Sequence, residues 1–125
     1  MSYLIDTQIF LWWLSDDRRL SEKTRSLITS PENEFYLSAA SIWEISIKSS
    51  IGKLPKIKNV SALAEEEGFV LLSILPLHAE LVNTFAAHHK DPFDRLLIAQ
   101  AKSLKLRFLT ADRLLKSYGS FVVVA

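Results

Sequence analysis

Short apolar runs alternate along this chain with longer stretches whose apolar residues recur at helical spacing. The runs "SYLI" (2–5), "EFYLS" (34–38), "VLLSIL" (70–75), "RFLT" (107–110) and "FVVV" (121–124) read as strands. Between them, "TQIFLWWLS" follows the first run directly as a helix, and "SEKTRSLITS" (21–30) forms a second, with Ser21 as N-cap and Thr24 rather than Glu at the capping-box position. "AASIWEISIKSSIGKL" (39–54) is helical until Gly52, with Pro55 just beyond. "VSALAEEEGF" (60–69) is a short helix ended by Gly68, and "LHAELVNTFAAHH" (77–89) is helical. After the turn at Asp91-Pro92, residues 93–105 form another helix, and "DRLLKSYG" (112–119) a short one. The strands are unbroken apolar runs, not alternating ones, which predicts burial on both faces. The expected fold is a single α/β domain over residues 1–125, a three-layer sandwich around a mostly parallel sheet. The loosest segment is 52–59.

Composition narrows the function classes. A chain of 125 residues, 49% hydrophobic, can bury a sizeable core. It has no cysteine, which excludes disulfides, a thiolate zinc site and a cysteine nucleophile, and fits a reducing, cytoplasmic setting. The opening "MSYLIDTQIFLWWL" lacks a basic leader and is interrupted by Asp6, so it is not expected to be a signal peptide. No apolar run reaches the roughly 18 residues of a membrane span. A net charge of +1 gives no nucleic-acid footprint by itself.

The acids carry the chemistry. In such folds ligands bind along the C-terminal edge of the sheet, where the strand order reverses. Asp6 follows the first strand, Asp112 follows the fourth, and Asp94 lies in the first turn of a helix starting at that edge. Each has a plain alternative as a helix cap or dipole partner. Asp91 is expected to cap the helix, leaving Asp94 on the side of Leu97, Ile98 and Ala101 that packs on the sheet. Glu44 sits mid-helix with Ala40, Ile47 and Ile51 as its helical neighbours. A carboxylate on an apolar face is costly unless paired, protonated or metal-bound. The plain alternative is an exposed Glu44 paired with Lys48 at i+4, worth roughly 0.2–0.5 kcal/mol.

Four converging carboxylates need neutralisation, and hard oxygen ligands suit Mg²⁺ or Mn²⁺. Such a site activates water and stabilises the leaving oxygen of a phosphodiester, with two ions about 3.5–4 Å apart able to share the work. The chemistry expected is hydrolysis of a nucleic-acid backbone.

The same residues carry a family resemblance. "YLIDTQIFLWWL", "SAASIWEISIK", "HHKDPFDRLLIAQA" and "FLTADRLLKSYG", in this order across the chain, resemble a PIN-domain ribonuclease, specifically a VapC-like toxin of a bacterial type II toxin–antitoxin pair. The resemblance implies an RNase H-like sandwich with the first strand central and Mg²⁺- or Mn²⁺-dependent endoribonuclease activity on RNA. It puts the family acids on Asp6, Glu44, Asp94 and Asp112, as metal ligands or water-positioning groups, and the Thr of the "TxD" element on Thr110. It also implies a homodimer and a cognate antitoxin that blocks the acidic site. Many relatives carry a further acid or amide shortly after the "TxD" aspartate; here "RLLKSYG" has none, so water is expected to complete the second ion's ligands.

An acidic pocket repels RNA, so cations are expected around it: Arg95 and Arg113 beside their acids, then Lys48, Lys53, Lys56 and Lys58. Each is equally accounted for as ordinary surface charge. Trp12 and Trp13 belong either to the core or to a partner interface. His78, His88 and His89 are expected at the surface or at helix ends. Two rivals remain open. A receiver domain needs an aspartate at the end of its third strand, where this chain reads "SILPL"; a non-catalytic interaction module needs no buried acids.

Overall fold

The computed structural model describes residues 1–84 and 91–125. Five strands form one wholly parallel sheet in the order β3-β2-β1-β4-β5. They are β1 (Ser2–Ile5), β2 (Glu34–Ser38), β3 (Val70–Leu72), β4 (Arg107–Thr110) and β5 (Val122–Val124). The helices are α1 (Thr7–Ser15), α2 (Glu22–Thr29), α3 (Ala39–Ser50), α4 (Val60–Glu66), α5 (Pro76–Leu81) and α6 (Pro92–Leu104), with 3-10 helices at Val82–Thr84 and Arg113–Tyr118.

Alternation of side chains along each strand builds two cores. Tyr3, Ile5, Phe35, Leu37 and Leu109 face one layer, with α1, α2 and α4; Leu4, Phe108 and Val122 face the other, with α6 and Leu115. Tyr3 and Phe35 stack across β1 and β2, their ring centroids 4.8 Å apart. Fully burying a side chain such as Leu4 or Phe108 stabilises the fold by about 1.5–3 kcal/mol. This is the three-layer sandwich expected of unbroken apolar strands.

Four expectations need correction. β3 ends at Leu72, not at residue 75, because its partner strand ends at Ser38, opposite Leu72, and turns into α3. The helix expected over 77–89 starts at Pro76 and passes into 3-10 geometry at Val82; its last residues, with His88 and His89, lie outside the described residues. The short helix at 112–119 is 3-10, closed by Leu115 N–H donating to the Asp112 carbonyl and Gly119 N–H to the Lys116 carbonyl. His78 is buried: its Nδ1 accepts from the Leu75 N–H at 3.0 Å and stands 3.2 Å from Gln100 Nε2. No helix among the described residues is long and apolar enough to cross a membrane.

Trp12 and Trp13 are partly buried against the first core, and the Arg19 guanidinium lies 5.0 Å from the Trp12 ring centre.

Candidate active site

β1 is the middle strand; the chain runs outward from it to β2 and β3 on one side, then crosses to β4 and β5 on the other. The C-terminal ends of β1 and β4 therefore flank the point where strand order reverses, the place where open α/β sheets bind ligands. Asp6 leaves β1 there and Thr110 ends β4.

Each acid is positioned by local geometry. Asp6 caps α1, with Oδ1 accepting from the Gln8 N–H at 3.0 Å, while Oδ2 accepts from the buried Thr110 hydroxyl. Thr110 Oγ1 also accepts from the Asp112 N–H at 3.0 Å, so one hydroxyl ties the loop after β4 to the acid after β1. Asp112 in turn caps the 3-10 helix through the Leu114 N–H at 3.0 Å. Asp91 caps α6, accepting from the N–H groups of Phe93 and Asp94 at 2.8 and 3.2 Å, with Pro92 in the first turn. Capping and cleft-lining thus coexist, because a carboxylate has more lone pairs than a cap uses.

Glu44 is 5% exposed, and its Oε2 accepts from Lys48 Nζ at 2.6 Å. The residue is buried, against the exposed alternative, yet it makes the pair with Lys48 that the alternative named. Of the three apolar neighbours expected to bury it, Ala40 is fully buried, Ile47 is half-buried and Ile51 is 60% exposed. Glu44 also lies toward α1, where Thr7 Oγ1 donates to Ser41 Oγ at 2.8 Å and joins the two helices. Among the described residues its Oε1 has no hydrogen-bond partner.

These side chains line one cleft of about 340 Å³, formed by Asp6, Thr7, Gln8, Leu11, Glu44, Lys48, Leu54, Asp91, Asp94, Ala111 and Asp112. All four expected acids and Lys48 are brought together here. Arg95 and Arg113 do not line it. Arg95 Nη2 donates to the Val82 carbonyl at 3.1 Å, and Arg113 faces a separate basic groove beside β5 with Lys23, Arg107 and Lys116. Lys53, Lys56 and Lys58 are exposed on the loop whose Leu54 reaches the cleft. Asp91, expected only as a cap, also lines the cleft, and Thr7, Gln8, Leu11, Leu54 and Ala111 were not anticipated; Thr7 and Gln8, as neighbours of Asp6 in the first turn of α1, carried a usable signal.

The electrostatics follow. Burial raises the Asp6 carboxyl above its ordinary value; the hydrogen bonds from Thr110 and Gln8 oppose this, and the charges of Glu44 and Asp112 add to it. Lys48 is raised by its bond to Glu44, and the charges of Asp91 and Asp94 act in the same direction.

A divalent ion fits this donor set. The donors are hard carboxylate oxygens, and Glu44 Oε1 is a shielded carboxylate oxygen with no hydrogen bond among the described residues. No three acids or histidines among the described residues stand close enough to enclose an ion as they are. Mg²⁺ does not require it, since it is commonly held by one or two carboxylates and several waters.

The fold is similar to that of a chain in a toxin–antitoxin complex from Klebsiella pneumoniae, with a TM-score of 0.67 at 19% identity over 98% of this chain and 96% of that one. It is also similar to a chain of VapBC2 from Rickettsia felis, a complex bound to a DNA fragment from their promoter; the TM-score is 0.62 at 12% identity, over 100% of this chain and 98% of that one. At such identities the likeness shows the fold alone. Comparison with curated proteins gives no match. The PIN domain family model matches residues 3–120, nearly the whole chain, and the chain belongs to the PIN domain family.

Proposed function

We propose that this protein is an Mg²⁺- or Mn²⁺-dependent endoribonuclease, the cytoplasmic toxin of a bacterial toxin–antitoxin pair. PIN domains are generally nucleases that use divalent metal ions. The observation that carries the reading is the meeting of Asp6, Glu44, Asp94 and Asp112, from four separate segments, in one cleft at the strand-order reversal. A non-catalytic module has no reason to bury Asp6 and Glu44 there, where ionised carboxylates cost stability.

Asp6, Glu44, Asp94 and Asp112 would hold the ion, with water completing its shell. Bound there, the ion supplies an activated water and stabilises the leaving oxygen of the RNA phosphodiester. Thr110 keeps Asp6 and the Asp112 backbone in fixed relation, which would limit the movement these two segments need when substrate arrives. Among the described residues Lys48 is the cation inside the cleft that can face a phosphate, and Arg113 begins a separate basic groove that would hold RNA. Arg95 would act at most through the α6 start that it braces.

The similar Klebsiella pneumoniae structure is a toxin–antitoxin complex, which supports a cognate antitoxin as partner here. An apolar surface suited to a protein partner is exposed: Trp43 is 57% exposed beside a small pocket lined by Ala79, Val82, Pro92, Phe93 and Leu96, and Leu75 and Leu77 are also exposed. A homodimer would use such a face.

The test is to map cleavage sites in total RNA after brief induction of the protein in a bacterial host, with Asp94→Asn as control. New 5′ ends at defined sequences are expected with the unaltered protein and not with the variant. Identical RNA profiles would remove the nuclease reading.

A further inference from the structure

Glu44 and Lys48 are usually read as a helix-surface pair, one turn apart and worth a few tenths of a kcal/mol. Three observations here do not fit that reading. The carboxylate side chain is only 7% exposed while its lysine partner is 38% exposed. The carboxylate's other oxygen, Oε1, is buried with no hydrogen-bond partner among the described residues. Both residues line the cleft that holds Asp6, Asp94 and Asp112. Among the described residues, this buried carboxylate is satisfied on one oxygen and keeps an unused lone pair on the other, in the wall of the cleft.

The asymmetry of burial indicates which partner moves. Glu44 is held within the packed wall of the cleft. The lysine ammonium sits at the end of a flexible four-carbon stem with a route to solvent. A divalent cation at Glu44 and an ammonium 2.6 Å from its Oε2 are like charges seeking the same anion.

We propose that Lys48 is a built-in counter-ion that competes with the divalent metal for Glu44. The ammonium holds the carboxylate in the metal-free cleft and gives up Oε2 when the ion binds. The proposal rests on the metal-binding reading of this cleft and adds that the chain itself sets how tightly the ion is held.

The experiment is calorimetric titration of Mn²⁺ into the full chain at low salt, comparing the unaltered protein with Lys48→Met, Lys48→Arg and Asp6→Asn. Lys48→Met should bind Mn²⁺ more tightly, on the order of tenfold, a usual size for coupling between two ligands. Lys48→Arg keeps the charge and should stay near the unaltered protein. Metal-free Lys48→Met should also melt at a lower temperature and recover with Mn²⁺. Equal or weaker binding by Lys48→Met overturns the proposal. If that variant does not fold, the unaltered protein still decides. The Lys48 ε-methylene NMR signals should move on Mg²⁺ saturation toward those of a free surface lysine, and unchanged signals overturn it. The two readings fail differently. No Mn²⁺ binding by any of the proteins removes the metal site and this proposal together. Binding that is lost in Asp6→Asn but unaffected by Lys48→Met removes this proposal alone.

Discussion

Asp6 shows how one residue does two jobs. As an N-cap it accepts from Gln8, and as a cleft acid it is held by Thr110, yet it is only 7% exposed. Burial is the largest influence on its carboxyl and raises it above 3.8, against the two hydrogen bonds. A carboxylic acid raised in the folded state binds more protons there than when unfolded. Its contribution is therefore favourable at low pH and is lost as pH rises from 3.8 through the folded value. Asp6→Asn, which stays neutral, should accordingly make the metal-free protein more stable than the unaltered chain at pH 7. The gain should shrink as pH falls toward 3.8. Urea unfolding in a chelator across that range checks it, and a less stable variant at pH 7 contradicts it. From the sequence, a cap and a ligand looked like competing explanations of Asp6 and Asp112. The structure makes them compatible, and that could not be read from spacing because it depends on which oxygen each neighbour uses.

At the scale of elements, helix starts were legible and polar networks were not. Asp91-Pro92 announced the start of α6, and both the cap bonds and the proline are there. Asp91→Ala should lower stability by about 0.5–2 kcal/mol, whereas Asp91→Asn, which keeps a capping oxygen, should stay close to the unaltered protein. Equal losses in urea melts would show that the charge rather than the cap matters. Gln100, by contrast, reads in sequence as an ordinary polar position of an amphipathic helix. It is fully buried: its Oε1 accepts from the Ser38 hydroxyl, and its Nε2 donates to the Ser73 carbonyl at 3.1 Å and meets His78. His78, expected at the surface or a helix end, does lie in the first turn of α5, but its burial was missed for the same reason, since Gln100 is distant in the chain. Gln100→Leu should cost at least about 1–3 kcal/mol by stranding these groups. A variant as stable as the parent would mean the network contributes nothing. β3 was overestimated because a strand's length is set by its partner, and Ser38 ends that partner.

For the molecule as a whole, the alternation of unbroken apolar runs and helices announced the parallel sandwich, because burial on both faces leaves a mark on every strand. The order β3-β2-β1-β4-β5 left no such mark; it entered only through the family resemblance, which made the first strand central. Strand order brings Asp6 and Asp112 to one rim, so the site depends on topology more than on any motif. The cations were the least legible part. Arg113 adjoins Asp112 in sequence but points to the groove beside β5, since adjacent residues at a helix start face different directions. The central claim is that this rim holds a divalent ion between the acids of separate segments. Crystals soaked in Mn²⁺ and measured for anomalous scattering test it most directly. The account predicts a strong peak within coordination distance of Asp6 and at least one of Glu44, Asp94 or Asp112. A peak confined to other surfaces, or none at saturating Mn²⁺, contradicts it.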